Sequence, residues 1–136
     1  MGYKKQITFI LILCIVVSLV VFFHRKRNSV HIDSVEKCEV VFVYNGTSAS
    51  HILSMQDLEQ IRRIFEGKYV YKDNPSCGFT DKISIIFDDS KTFCIARDTC
   101  PVIYWKEEDK YFQITEGEKN YLYQLLERFG FTFPCL

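Results

Sequence analysis

Ile7 to Phe23 runs without a charged residue, and only Thr8 and Ser18 interrupt its apolar character. Lys4-Lys5 precede it and His24-Arg25-Lys26-Arg27 follow it. A helix over this run is about 25 Å long at ~1.5 Å per residue. A hydrocarbon core is ~30 Å thick, so the run lies at the short end of what can cross it. Flanking Lys and Arg side chains snorkel to the headgroups and make up the difference. The segment therefore reads as a single-pass span, with the lipid bilayer as its partner through residues 7–23. A cleavable signal peptide has a shorter apolar region and ends in small residues. Here Val21, Phe22, Phe23 and His24 occupy that end. Cys14 follows Leu13 rather than a small residue, and apolar sequence continues beyond it, so it reads as a small hydrophobe and not a lipidation site.

This division gives an anchor with basic flanks at 1–27, a linker at 28–34 and one soluble domain at 35–136. The domain, roughly 105 residues, is long enough for one compact core and too short for two. Lys4-Lys5 before an apolar run has the form of a signal-anchor, which favours an N-in, C-out orientation and an extracytoplasmic domain. The positive-inside rule alone gives little discrimination, because both flanks are basic. Five of the 17 basic residues flank the span and all 17 acidic residues lie beyond it, which leaves 12 basic against 17 acidic residues, a net charge of −5. Nucleic-acid binding needs a clustered basic surface, and the acidic balance speaks against it.

The domain is rich in Phe, Tyr, Ile and Val, a composition that builds strands and a packed core. Lys37–Tyr44 reads as a strand entering Asn45-Gly46, the strongest short hairpin signal, and Thr47–Leu53 returns. Asn45-Gly46-Thr47 also matches a glycosylation sequon, which the turn explains without a sugar. Ser54 with Asp57 is a variant capping box. Met55, Leu58, Ile61, Ile64 and Phe65 then share a helical face that Gly67 closes. Lys68–Lys72 is a short strand candidate, followed by a loop through Gly78. Ile83, Ile85 and Phe87 alternate inward on one strand and Phe93 and Ile95 on the next. Val102–Trp105 and Tyr111–Ile114 form a further hairpin. Thr115 with Glu118 caps a second helix carrying Tyr121, Leu122, Leu125, Leu126 and Phe129, closed by Gly130. The order predicts an α+β domain, a mainly antiparallel sheet with both helices packed on it.

Cys38, Cys77, Cys94, Cys100 and Cys135 lie beyond the span. Several sit in loops or at the chain end, where a covalent staple helps most. This is cysteine usage suited to an oxidising compartment. Cys77, Cys94, Cys100 and Cys135 are the disulfide candidates. Four cysteines allow three pairings. The reading leans to Cys94–Cys100 with Cys77–Cys135 and leaves Cys38 as a buried thiol. The alternative is a cytoplasm-facing metal or thiol site on the same four residues, but a zinc site usually presents paired C-x2-4-C knuckles, and none is present. A redox C-x-x-C is absent as well. His31 lies in the linker, His51 reads as an exposed strand residue, and Asp98 reads as a turn residue rather than a ligand. No Gly-rich phosphate loop, H-E-x-x-H or G-x-S-x-G occurs, so no cofactor is implied.

Cys77-Gly-Phe, Ile83-Ser-Ile, Cys94-Ile-Ala-Arg-Asp-Thr-Cys100, Lys110-Tyr-Phe-Gln-Ile and Phe129-Gly, ending Phe133-Pro-Cys135, resemble small membrane-anchored or lipoprotein-like proteins of Gram-positive gut bacteria. The resemblance covers about the last 65 residues. It brings no activity, substrate or catalytic residue, and implies an extracytoplasmic position. The expected function is non-enzymatic: an anchored domain that binds a protein or peptide partner. Tyr104, Trp105, Tyr111 and Phe112 are the candidate binding surface, since Trp and Tyr are enriched at interfaces.

Overall fold

A computed structural model describes residues 2–44, 46–73, 75–79, 82–98 and 100–131. The element order is α1 (Tyr3–Arg27), β1 (Cys38–Tyr44), β2 (Thr47–Ile52), α2 (Met55–Phe65), β3 (Ile83–Phe87), β4 (Lys91–Ile95), β5 (Val102–Trp105), β6 (Lys110–Gln113) and α3 (Glu116–Arg128). The strands form one antiparallel sheet in the order β2-β1-β3-β4-β5-β6. The fold is α+β, with α2 and α3 on one face of the sheet.

α1 is apolar all round, and no part of its hydrophobic stretch is buried against the domain. It is long and apolar enough to span a membrane. Such a helix buries its surface in lipid or in a partner, because it has no polar face to give to water.

The amphipathic helices behave differently. Ser54 caps α2, its hydroxyl oxygen accepting from the Asp57 amide at 3.2 Å. Leu58, Ile61, Ile64 and Phe65 are buried beneath it, each worth about 1.5–3 kcal/mol. Gly67 follows at φ 74°, a left-handed C′ position that suits Gly. Thr115 and Glu118 form a complete capping box at α3, where Glu118 also pairs with Lys68 Nζ at 2.7 Å. Leu122, Leu125 and Leu126 face the core. At its centre the Phe65 ring meets Phe87, Phe93 and Phe112 edge-on at 5.8, 5.1 and 5.2 Å, the orientation that the ring quadrupoles favour.

Three local expectations change. Residues 28–34, read as a linker, carry Val30 and Ile32, both fully buried, and Val35 behind them is buried too. Their backbone is tied to the turn after α2: Val30 N donates to Lys68 O and Gly67 N to Val30 O, each at 2.9 Å. Polar Asn28, Ser29 and Asp33 hide this apolar alternation in the sequence. Lys68–Lys72 is not a strand of the sheet. It makes two isolated bridges, Ser29–Tyr69 and Tyr71–Tyr111, and so buckles the 28–32 segment to the β6 edge. His51 is half-buried rather than exposed, its ring stacked on Phe129 at 4.5 Å. The Asn45 half of the first hairpin turn lies outside the described residues. Gly46 takes φ 79°, the positive value the turn requires.

Candidate functional site

The two faces of the sheet separate the four predicted aromatic residues. Trp105 pairs with Phe93 across β4–β5, and Phe112 with Ile103 across β5–β6. All four of these point to the helix layer. Phe112 is fully buried and Trp105 packs against the core. Side chains alternate along a strand, so Tyr104 and Tyr111 face the opposite way. The candidate surface of Tyr104, Trp105, Tyr111 and Phe112 is therefore not one surface: two of its members belong to the core.

On the back face Tyr104 and Tyr111 join two aromatic rings that sequence reasoning did not select. Their own ring centroids are 4.9 Å apart. Phe79 lies 5.9 Å from Tyr104 and 5.4 Å from Tyr111, and Tyr71 lies 6.2 Å from Tyr111. Tyr71 and Tyr111 exchange backbone hydrogen bonds, 2.9 Å from the Tyr71 amide and 2.8 Å in return. The Tyr104 hydroxyl donates to Asp109 Oδ1 at 3.1 Å. Burial, the Asp109 hydrogen bond and its charge hold the Tyr104 phenol above its usual range. Beside this cluster Tyr69, Tyr71, Asp73, Pro75 and Gln113 line an open cleft of about 630 Å³. Tyr69 is 59% exposed. The signal for this cleft was the pair Tyr69 and Tyr71, which share one side of an extended segment, but Gln113, which lines it with them, is distant in sequence.

A disulfide holds the loop that carries Phe79. Cys77 is bonded to Cys100, with Cα atoms 6.0 Å apart, within the ordinary range for a disulfide. This differs from the Cys94–Cys100 and Cys77–Cys135 arrangement. The reason is the way the two loops are pulled together. Arg97 N donates to Gly78 O at 3.2 Å, and Asp98 Oδ2 accepts from Gly78 N at 3.4 Å. Asp98 Oδ1 accepts from the Cys100 amide at 3.0 Å, which sets the turn that presents the sulfur. Asp98 thus takes part in the turn that precedes Cys100. Cys94 is buried on the back face of β4, opposite Tyr104. Cys135 lies outside the described residues. Cys38 is buried on β1, and burial, with the charges of Asp88 and Glu39, pushes its thiol up to about 12. It is a protonated packing group at neutral pH and a poor nucleophile.

The sulfurs of Cys77 and Cys100 and a carboxylate oxygen of Asp98 lie within 4.8 Å of one another. In the reduced state the three atoms would form a partial metal-ligand set. Disulfide and metal site are mutually exclusive uses of the same sulfurs. Cys94 is not in that group.

A second, polar cleft of about 610 Å³ lies between the start of α2 and the end of α3. At its centre the Asp57 carboxylate receives three donors: Arg128 Nη2 at 2.6 Å, the Tyr121 hydroxyl at 3.1 Å and Ser54 Oγ at 2.8 Å. Burial alone would raise the Asp57 carboxyl, but the hydrogen bonds from Arg128, Ser54 and Tyr121 outweigh it and the balance is downward. A carboxylate so fully engaged is a weak general base, because a base needs a vacant lone pair and a pKa near the working pH. The arrangement clamps two helices. Its parts are dispersed along the chain, and neither Asp57 nor Arg128 carries a local signature beyond the cap. No family model, curated protein or solved structure matches this chain.

Proposed function

We propose that this protein is a single-pass, membrane-anchored, non-enzymatic binding domain on the extracytoplasmic side, and that its tyrosine-lined cleft receives a protein or peptide partner near the membrane. The observation that carries the reading is the Cys77–Cys100 bond holding Phe79 against Tyr104 and Tyr111. A staple of this kind suits an oxidising compartment, and an apolar N-terminal helix suits a membrane anchor. Tyr side chains offer large contact area and a hydroxyl at small entropic cost, which is why binding surfaces favour them. The resemblance to anchored or lipoprotein-like proteins of Gram-positive gut bacteria belongs to the same proposal, and cysteine spacing supports it.

The test is labelling of intact cells with a membrane-impermeant maleimide, using a Cys135→Ser variant so that the stapled pair is read. Under this reading labelling rises by two thiols after an impermeant reductant, and the rise disappears in Cys77→Ser/Cys100→Ser. Labelling only after lysis, without any need for reductant, would put the domain in the cytoplasm and overturn the proposal. A second reading would then take its place: a reduced, cytoplasm-facing site in which Cys77, Cys100 and Asp98 hold a metal, favoured by their convergence. Zinc retained through purification and lost with the fold on chelation would support it.

A further inference from the structure

We infer that the groove between the C-terminal end of α1 and the domain is a binding site for a single anionic phospholipid. Its phosphate would lie on Arg25 and Lys26 and an acyl chain along Val21 and Phe22. The inference rests on the membrane-anchored reading above, and it holds for either orientation.

The groove has a volume of about 1100 Å³ and two unlike walls. The helix wall changes chemistry along its length. Val21 and Phe22 precede Arg25 by four and three residues, so they stack on one helix face one turn apart. That is the distance over which a bilayer passes from acyl chain to phosphate. The domain wall presents His31 and Tyr69. An exposed Tyr at this depth suits the headgroup layer, where its ring and hydroxyl are both satisfied.

The walls are held in register. Beyond the Val30–Lys68 and Gly67–Val30 bonds, Val70 N donates to Asn28 O at 2.9 Å. Ser29 Oγ donates to Arg25 O at 3.0 Å, and His31 Nε2 lies 2.7 Å from Lys26 O. A span joined to its domain by a free linker would have no such groove. The charge balance favours an anion. Among the described residues no carboxylate pairs with Arg25 or Lys26. Asp33 is the acidic residue on the lining. Glu66 nearby is already engaged, accepting from the Ile32 amide at 2.6 Å and lying 3.2 Å from His31 Nδ1.

General attraction of a basic flank to an acidic membrane requires only the helix charges. A built site also requires the domain wall, and the experiment turns on that difference. The full chain is first floated with phosphatidylcholine vesicles containing a minor fraction of phosphatidylglycerol, then extracted in mild detergent. Retained lipid is counted by native mass spectrometry. The expected result is one retained phosphatidylglycerol, preferred over phosphatidylcholine about fivefold for each basic contact, the factor that corresponds to ~1 kcal/mol. Arg25→Gln/Lys26→Gln abolishes the preference. Tyr69→Ala reduces it severalfold with Arg25 and Lys26 intact, while Tyr71→Ala, in the neighbouring cleft, leaves it unchanged. The Tyr69 side chain is largely exposed, so its removal leaves the core in place. Equal retention of both lipids, or a preference untouched by Tyr69→Ala, overturns the site and leaves the anchor standing. A chain that does not float with vesicles overturns the anchor and the site with it.

Discussion

The two faces of one sheet use aromatic residues in opposite ways. On the helix side, Phe87, Phe93 and Phe112 of the sheet meet Phe65 of α2 in a dry cluster with no hydroxyl in it, each ring fully buried. Facing away, Tyr71, Tyr104 and Tyr111 keep hydroxyls within reach of solvent or Asp109. One hairpin supplies both sets, since Ile103, Trp105 and Phe112 point one way and Tyr104 and Tyr111 the other. The front face is stabilised by a helix layer that removes apolar area from water. Among the described residues α2 and α3 lie on the front face, and over Tyr104 and Tyr111 on the back face a disulfide-held loop brings Phe79 instead. A two-layer domain can thus pack one sheet face under helices and the other under a loop that a covalent link holds in place.

The difference can be broken from the front. Phe65→Ala removes the ring that meets three others, and a cost of about 3–5 kcal/mol is expected from such a buried truncation. Urea denaturation would show it as a lower midpoint with an unchanged slope. A slope that falls as well would mean that the variant no longer unfolds in one step.

From the back, Cys77→Ser/Cys100→Ser should cost ~2–4 kcal/mol. The location of the loss matters more than its size. Hydrogen exchange should accelerate at Arg97, whose amide bonds Gly78, and at the Tyr71–Tyr111 bridge, while β1 and β3 change only with global stability. A uniform acceleration over the whole sheet would mean that the two faces are one cooperative unit, and that the staple does not serve the back face in particular.

What the sequence made legible follows the same divide. The helices were readable because their signals are local: Thr115 with Glu118, Leu122 and Leu125 four residues apart or fewer, Gly67 and Gly130 as stops. The strands with clean alternation, such as Ile83-Ser-Ile-Ile-Phe, were readable for the same reason. The back-face cleft was not, because Tyr71 and Gln113, which line it together, meet only once the sheet has formed. The pairing of Cys77 with Cys100 was hidden too. It depends on Asp98 and Gly78 drawing two loops together across 20 residues of chain. Residues 28–34 misled in another way: their polar members look like a linker, and the buried Val30 and Ile32 are too few to register as a strand.

A smaller effect tests the helix layer alone. Thr115→Ala removes the hydroxyl that accepts from the Glu118 amide and is expected to cost ~1 kcal/mol. Lys68 holds the Glu118 carboxylate while the Thr115 hydroxyl holds the Glu118 amide, so the loss in Thr115→Ala combined with Lys68→Met should differ from the sum of the two singly, because both position one residue. Additive losses in thermal unfolding would show that the cap and the ion pair are independent.

The smallest effect concerns pH. The Asp57 carboxyl is held below its ordinary value of 3.8 in the folded state. A group with a depressed folded pKa contributes stability above its unfolded pKa and loses it as pH falls through the folded one. The contribution of the Asp57 clamp is therefore complete at neutral pH, begins to fade near 3.8 and is gone at more acidic values. Its size is modest, below ~1 kcal/mol, because the Arg128 partner is more than half exposed and solvent screens the pair. Asp57→Asn should lower the unfolding temperature slightly at pH 7 and leave it unchanged at pH values below the folded pKa, where the wild-type carboxyl is also neutral. The two curves should converge on acidification. If they ran parallel, the loss would come from the Ser54 cap and its geometry, and the charge on Asp57 would have no part in holding α2 to α3.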